Sequence, residues 1–499
     1  MRVEFRSWAA TPRPGLAGLA AAIFAVIFLN GAASYPSGTT LRADQRKKIE
    51  ALCASSTDNK SPGFALGIIK NGVLIYKRGF GLANLDYDIP ITSYTVFQIA
   101  SVSKQFTAAS ILMLSQRHLI SLDDDIRKFL PEMPTYCRPI RIKNLIHHTS
   151  GIRDYEDLQL LKGELSDQGY HTNKDLLELI AAQKGLDFPP GEKFQYSNSG
   201  YMLLSVILER ITGMTLGRFV KQNIFDPLGM KNTFILDDNT VVIKNRATGY
   251  SPKDGQFRVD ETLNESTGDG GVYTTIEDFF FWDQNFVNGK VGGLDFIAQL
   301  LQPGQLNDGR PAGRTFLNTS TEYAFGIACS RYRGLRTIEH SGAYVGFKAK
   351  YIRFPDQQFS IIFLANRSDI DPQQLSLRIA DICLEGSFTE KSLAAENTTN
   401  SPDRQEGSPP PVSLRDLSAY AGDYWCSDLD VLYKLRLQGN ELAFVQQGAP
   451  PQASLISKGG DLFSYWFLLL KFHRDPQSKI RGFSIESDRL KGIFFARRQ

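Results

Sequence analysis

The residues best suited to chemistry are Ser101 and Lys104, three apart in Phe97-Gln98-Ile99-Ala100-Ser101-Val102-Ser103-Lys104-Gln105-Phe106. Positions i and i+3 share one face of a helix. An amine beside a hydroxyl can take its proton during attack on a carbonyl, provided burial or a neighbouring charge lowers the amine's pKa from about 10.4. That chemistry casts Ser101 as a nucleophile and Lys104 as its base. A place at the start of a helix adds backbone N–H groups that stabilise developing negative charge. In isolation the pair fits a helix cap followed by a surface lysine just as well, and Ser-x-x-Lys recurs by chance in a chain of 499 residues.

Two further stretches could join it. Pro190-Gly191-Glu192-Lys193-Phe194-Gln195-Tyr196-Ser197-Asn198 is a turn leading to Tyr-x-Asn ahead of an amphipathic segment. A tyrosine hydroxyl shuttles protons when a nearby cation favours its phenolate, and an asparagine amide holds a carbonyl without titrating. The bland reading is that Tyr196 packs and Asn198 caps the helix. The third stretch, Glu339-His340-Ser341-Gly342-Ala343-Tyr344-Val345-Gly346, precedes a strand-like run. Its small residues let a substrate approach the backbone closely, and the Ala343 N–H could face an oxyanion. His340 could give or take a hydrogen bond, although a histidine near a strand is commonly structural.

The elements that must position these residues follow from periodicity. Runs at 64–69 and 73–76 around Asn71-Gly72 read as a hairpin, and strands recur at 348–354 and 359–364. Between them, apolar residues at three-and-four spacing predict helices at 104–116, 174–183, 199–211 closed by Gly213, 276–286 and 373–384. Strands at both ends with helices between suggest one sheet built from the two termini and flanked by helical layers. Residues 387–411, with Pro409-Pro410-Pro411, have almost nothing to bury and form a linker. Beyond it, short runs at 433–437, 442–445, 463–472, 482–487 and 491–496 predict a small all-β barrel, with the aromatics after Trp466 lining its core.

Residues 1–33 place Arg2, Arg6 and Arg13 before an apolar stretch, 16–29, that ends in Gly31, Ala32 and Ala33. This is the pattern of a cleaved secretory signal peptide, and the stretch is shorter than the roughly 20 residues a bilayer demands. The expected location is therefore secreted or periplasmic, membrane-tethered if the signal stays. Its removal leaves 53 basic against 52 acidic residues, a balance that argues against nucleic-acid partners. The scattered Cys53, Cys137, Cys329, Cys383 and Cys426 fit neither a disulfide scaffold nor a zinc site and read as buried thiols, with one or two disulfides left open. No metal or organic cofactor is expected, and the neighbours His147 and His148 are not read as a metal site, His148 being the structural one. Gly-x-Ser-x-Gly, His-Glu-x-x-His and a P-loop are all missing from the sequence.

The order Ser-x-x-Lys, Tyr-x-Asn and then a small-residue strand motif resembles the penicillin-binding protein and serine β-lactamase superfamily, in its class C β-lactamase-like branch. The likeness covers roughly 64–384 and includes Leu145-Ile146-His147-His148-Thr149-Ser150-Gly151-Ile152, Phe225-Asp226-Pro227-Leu228-Gly229-Met230 and Gly270-Gly271-Val272-Tyr273-Thr274-Thr275. It implies an α+β fold, an antiparallel sheet flanked by helices plus an all-helical region. Carried over residue by residue, it makes Ser101 the acylated nucleophile, Lys104 the base, Tyr196 the proton shuttle and Asn198 a substrate contact. The N–H groups of Ser101 and Ala343 become the oxyanion hole. The departure is His340-Ser341-Gly342 where relatives place Lys-Thr-Gly. This exchanges a permanent cation for a titratable ring, weakens carboxylate recognition and looks like the D-aminopeptidase variation. Leu417-Ser418-Ala419-Tyr420-Ala421-Gly422-Asp423-Tyr424 resembles the opening of a lipocalin-like barrel.

The expected organisation is a signal peptide at 1–33, a hydrolase domain at 34–386, a linker at 387–411 and a barrel at 412–499. The expected activity is hydrolysis of an amide or ester through an acyl-enzyme, with a small-molecule or peptide substrate, peptides containing D-amino acids included. A carboxylesterase or β-lactamase of the same mechanism, and a penicillin-binding receptor or scaffold without turnover, are the alternatives.

Overall fold

The computed structural model describes residues 40–164, 169–316, 319–390, 417–445 and 454–498. The expected signal peptide at 1–33, and 391–411 of the expected linker, lie outside them. Asn71 and Gly72, both at positive φ (50° and 74°), turn the chain between strands Phe64–Lys70 and Val73–Phe80. Left-handed conformations at both centres are what two-residue hairpins require. Phe64–Lys70 then pairs with Phe359–Ala365, Ala65 facing Leu364 and Gly67 facing Ile362. The hairpin thereby completes an eight-stranded antiparallel sheet whose other strands are Gly313–Phe316, Thr319–Tyr323, Ala328–Tyr332, Leu335–Tyr344 and Phe347–Phe354. Strands from the two ends of the domain meet inside one sheet, as expected.

The central strands are covered on both faces, and successive side chains divide between two cores. Phe64, Leu66, Ile68, Ile361 and Phe363 face helix α1 (Ala43–Ala54) and helix Pro372–Cys383. Ala65, Ile69, Ile362 and Leu364 face the larger helical layer. That layer is organised by α2 (Lys104–Gln116), α3 (Ile142–Ile146), α4 (Tyr155–Lys162), α5 (Asn173–Ala181), α6 (Asn198–Thr212) and helix Ile276–Asn288. Both α2 and α6 are buried almost all round, so they form the middle of the domain. Gly213, at φ 68°, ends α6 as its position predicts.

His340, Ser341 and Gly342 lie inside the strand Leu335–Tyr344 and not ahead of the next one. The run is masked in the sequence because polar residues occupy its exposed face and histidine and glycine its buried one. The barrel is closed by eight strands, the first, Gly422–Cys426, pairing with the last, Ile493–Arg497. The expected run 463–472 is in fact two strands, Leu462–Tyr465 and Leu468–Arg474. Trp466, at φ 52°, turns between them. Trp466 and Phe467 consequently stand 57% and 58% exposed at the tip and do not line the core, whereas Phe472 does. All five cysteines are free, with Cys53 and Cys426 buried, Cys329 and Cys383 partly covered and Cys137 exposed. No helix among the described residues is long and apolar enough to cross a membrane.

Candidate active site

Ser101 sits in a 3-10 turn, Ala100–Ser103, that runs directly into α2. Ala100 just before it is held at φ 45°, a left-handed conformation that costs a residue with a Cβ roughly 1–3 kcal/mol and that concentrates at functional sites. Two neighbours hold the turn there. The Ser103 hydroxyl accepts from the Val272 N–H at 3.1 Å, and Gly342 lies so close that a Cβ on it would stand 2.2 Å from the Ile99 carbonyl oxygen. Gly342 is therefore glycine for the sake of that approach, which brings Ala343 and Ser101 to the same cleft.

One turn on, Lys104 is 0% exposed. Its Nζ lies 3.0 Å from Ser101 Oγ, 2.8 Å from Asn198 Oδ1 and 2.8 Å from the Asp269 carbonyl oxygen. Burying a charge is tolerated only with such full hydrogen bonding. The Tyr196 ring completes the group, its centroid 5.0 Å from Nζ. The sequence-predicted Ser101, Lys104, Tyr196 and Asn198 thus converge, although Asn198 opens α6 and does not belong to the loop before it. Tyr196 is braced by His148, with ring centroids 4.3 Å apart. Nδ1 of His148 accepts from the Ser197 N–H at 3.1 Å. Burial, then the charge of Lys104, hold His148 well below the ordinary histidine pKa. His148 is structural, as expected, and His147 is held as well, its Nδ1 bonded to the Tyr323 carbonyl oxygen.

His340 is placed differently from Ser101, Lys104, Tyr196 and Asn198. Its Nδ1 is 2.7 Å from the Ser341 carbonyl oxygen, to which it donates, and its Nε2 accepts from Tyr323 Oη at 3.0 Å. Burial, then the charge of Lys104, lower its pKa to about 3. The ring is a neutral, fully engaged buried group. The cation nearest in register is Lys350, opposite Ser341. It is itself buried, paired with Glu339 at 2.7 Å and bonded to Ser341 Oγ at 3.1 Å.

The cleft is open to solvent, and among the described residues its acidic lining groups are Glu156 and Asp269. Sequence reasoning missed both, and with them Asp154, whose carboxylate accepts from the Asn198 N–H and the Glu156 N–H. Tyr155 donates to Asp269 Oδ2 at 2.8 Å. Burial raises the Asp269 carboxyl pKa against the pull of Lys104. The signal was present: Asp154-Tyr155-Glu156-Asp157 follows His148-Thr149-Ser150-Gly151 by two residues, and Asp269 precedes Gly270-Gly271. Among the described residues no group of three or more His, Cys, Asp or Glu side chains is arranged to hold a metal ion.

Comparison with known proteins gives the family. Penicillin-binding protein 4* of Bacillus subtilis is 27% identical over 369 residues, 69% of this chain and 77% of that one. A D-aminopeptidase of Gluconobacter oxydans is 28% identical over 306 residues, 61% of this chain and 56% of that one, so the chain spans little over half the length of that relative. The octameric penicillin-binding protein homologue from Pyrococcus abyssi superposes with a TM-score of 0.61 at 20% identity, covering 91% of this chain and 99% of its own, a likeness of fold that extends over the barrel. The family model described as Beta-lactamase matches residues 46–383. The chain therefore belongs to the beta-lactamase family, a family of serine hydrolases.

Proposed function

We propose that this protein is an exported hydrolase that cleaves an amide or ester bond through an acyl-Ser101 intermediate, with small peptides or amides bearing a free amino group, D-configured ones above all, as substrates. The observation that carries the reading is the 3.0 Å contact between Ser101 Oγ and the buried Lys104 Nζ at the edge of an open cleft. From that position Nζ can take the serine proton as Oγ attacks the carbonyl. The N–H groups of Ser101 and Ala343 receive the oxyanion, Tyr196 passes its proton to the leaving group and is reprotonated with the one Lys104 took from Ser101, and Asn198 orients the substrate amide. Water then releases the acyl group by the reverse path. Export rests on residues 1–33 alone.

The acidic lining supports an amino-bearing substrate. Glu156 is already paired with Arg489, but Asp269 also faces the cleft, and no lysine or arginine is among the cleft's described lining residues, so the lining favours a substrate ammonium over a substrate carboxylate. The neutral His340 and the Glu339-paired Lys350 supply no free cation either, which disfavours β-lactams. The D-aminopeptidase relatives carry the same substrate class in their names. Ser101→Ala should abolish turnover and labelling by a fluorophosphonate; retained labelling overturns the nucleophile. Wild-type enzyme offered paired D- and L-aminoacyl amides, short-chain esters and nitrocefin should prefer the D-amide, and a preference for nitrocefin overturns the substrate assignment.

A further inference from the structure

The barrel reaches the catalytic group through α4. Leu158 and Leu161 of that helix belong to the barrel's own apolar cluster, beside Leu490. Tyr433 Oη donates to the Leu161 carbonyl oxygen at 2.6 Å. The other end of α4 opens on the cleft with Tyr155 and Glu156, and the buried Asp154 caps it. The loop between barrel strands Ile480–Glu486 and Ile493–Arg497 lies across that end. Its Arg489 places one guanidinium among three carboxylates: Glu156 at 2.9 Å, Asp157 at 3.2 Å and Asp154 at 3.5 Å. Ser487 donates to Asp157 as well, and the Lys491 N–H to Asp187 at 2.8 Å.

From Asp154 the connection continues inward. Its Oδ2 accepts from the Asn198 N–H at 2.5 Å, Asn198 Oδ1 accepts from Lys104 Nζ at 2.8 Å, and Nζ meets Ser101 Oγ at 3.0 Å. Three carboxylates in four residues repel one another, and Asp154 is wholly buried. Uncompensated, such a cluster relaxes by protonation or by turning a carboxylate outward, and either frees the Asn198 N–H. From this unbroken chain of contacts we infer that Arg489 is a positioning residue for the catalytic group. The barrel is then a working part of the active site, through Arg489, Asp154 and Asn198, and not an independent binding module. This rests on the acyl-Ser101 reading above.

The test uses the full-length chain and a fluorophosphonate as the acylating probe. Arg489→Ala should lower the limiting acylation rate roughly 10- to 100-fold, the scale of a small misplacement of catalytic groups, with the probe's half-saturating concentration almost unchanged. Arg489→Lys should recover part of that rate, and millimolar guanidinium should raise the rate of Arg489→Ala while leaving the wild type unaffected. A general loss of packing would respond to neither. A folded Arg489→Ala that acylates at the wild-type rate overturns the inference, and so does a loss that neither lysine nor guanidinium repairs. Should Arg489→Ala fail to fold, Arg489→Lys carries the test, because one ammonium cannot serve three carboxylates: a wild-type limiting rate there overturns the inference too. Failure of the underlying reading looks different, since Ser101→Ala would then still be labelled.

Discussion

Inside the barrel, the interior is made of rings. Phe483 packs on Tyr424, Phe472 and Phe495 at centroid distances of 4.9, 5.1 and 4.9 Å, and Phe463 meets Phe472 at 5.4 Å. Inside the hydrolase domain, Lys104, Asp154, Asn198, Asp283 and Lys350 are all buried. Two of these differ in a telling way. Asp283 accepts from Tyr351, Arg353 and Ser360, a closed knot that clamps helix Ile276–Asn288 to the sheet. Lys104 is equally satisfied, yet one of its partners, Ser101, lines an open cleft. A buried charge marks chemistry when its network ends at solvent, and marks architecture when it closes on itself. An eight-stranded barrel is just wide enough for side chains to fill, and this one is filled, so its contribution to function must come from its surface loops.

The comparison breaks first at Lys104. Lys104→Met keeps the volume and removes the charge, so the fold should survive while the acylation rate falls roughly 10⁴-fold, the upper range for a catalytic proton acceptor. A melting temperature near the wild type together with a large residual rate would mean that the buried amine is architectural, like Asp283. The barrel should answer in the opposite currency. Phe483→Ala removes a fully buried ring and should destabilise the barrel by about 3–5 kcal/mol. In the temperature range where Phe483→Ala remains folded, its acylation rate should match the wild type. A slowed reaction in folded Phe483→Ala would show that the core, and not the Arg489 loop alone, is coupled to the site.

The same contrast explains what was legible in the sequence. The hairpin around Asn71-Gly72 and helices such as Lys104–Gln116 announce themselves because a turn or a repeating apolar face is written locally. Ser101, Lys104, Tyr196 and Asn198 were legible through the family resemblance of their motifs, since each motif alone also fits a helix cap or a packed ring. The strands of 313–344 were hidden because they mix glycine, threonine, arginine and histidine, and their burial depends on neighbours distant in sequence. Asp154, Glu156 and Asp269 were hidden for a related reason. An acidic run before a helix normally faces water, and only the arrival of Arg489, more than three hundred residues later, turns this one into part of a site.

Tyr196 tests a finer point of the contrast. Its ring is held between His148 and the Lys104 cation, so Tyr196→Phe should leave packing intact and remove only the hydroxyl. Turnover of an aminoacyl amide should fall by about 10²-fold, the low end for proton transfer by a side chain. Esters, whose leaving groups need less protonation, should suffer less. Equal losses on amides and esters would assign Tyr196 to substrate placement.

The smallest effect concerns His340, and its sign follows from protonation. His147, His148 and His340 are all held neutral by burial, His147 with a pKa of about 4 and His340 of about 3. Between those values and the ordinary 6.5, the unfolded chain binds more protons than the folded one, so stability is complete above about pH 6.5 and is lost on acidification. The histidine contribution to the melting temperature should therefore fall as pH drops from 6.5 toward 4, against the raised carboxyls of Glu156 and Asp187, which act with the opposite sign in that range. His340→Gln, which can still donate to the Ser341 carbonyl and accept from Tyr323, should reduce that slope. Because the ring does not titrate near neutrality, the pH profile of kcat/KM between 6 and 8 should keep its shape in His340→Gln, scaled by a constant. If an inflection near 6.5 disappears with the histidine, the ring titrates in the folded enzyme. It would then be a switchable cation facing substrate, and the distinction between a closed knot and an open site would have to be redrawn to put His340 with Lys104.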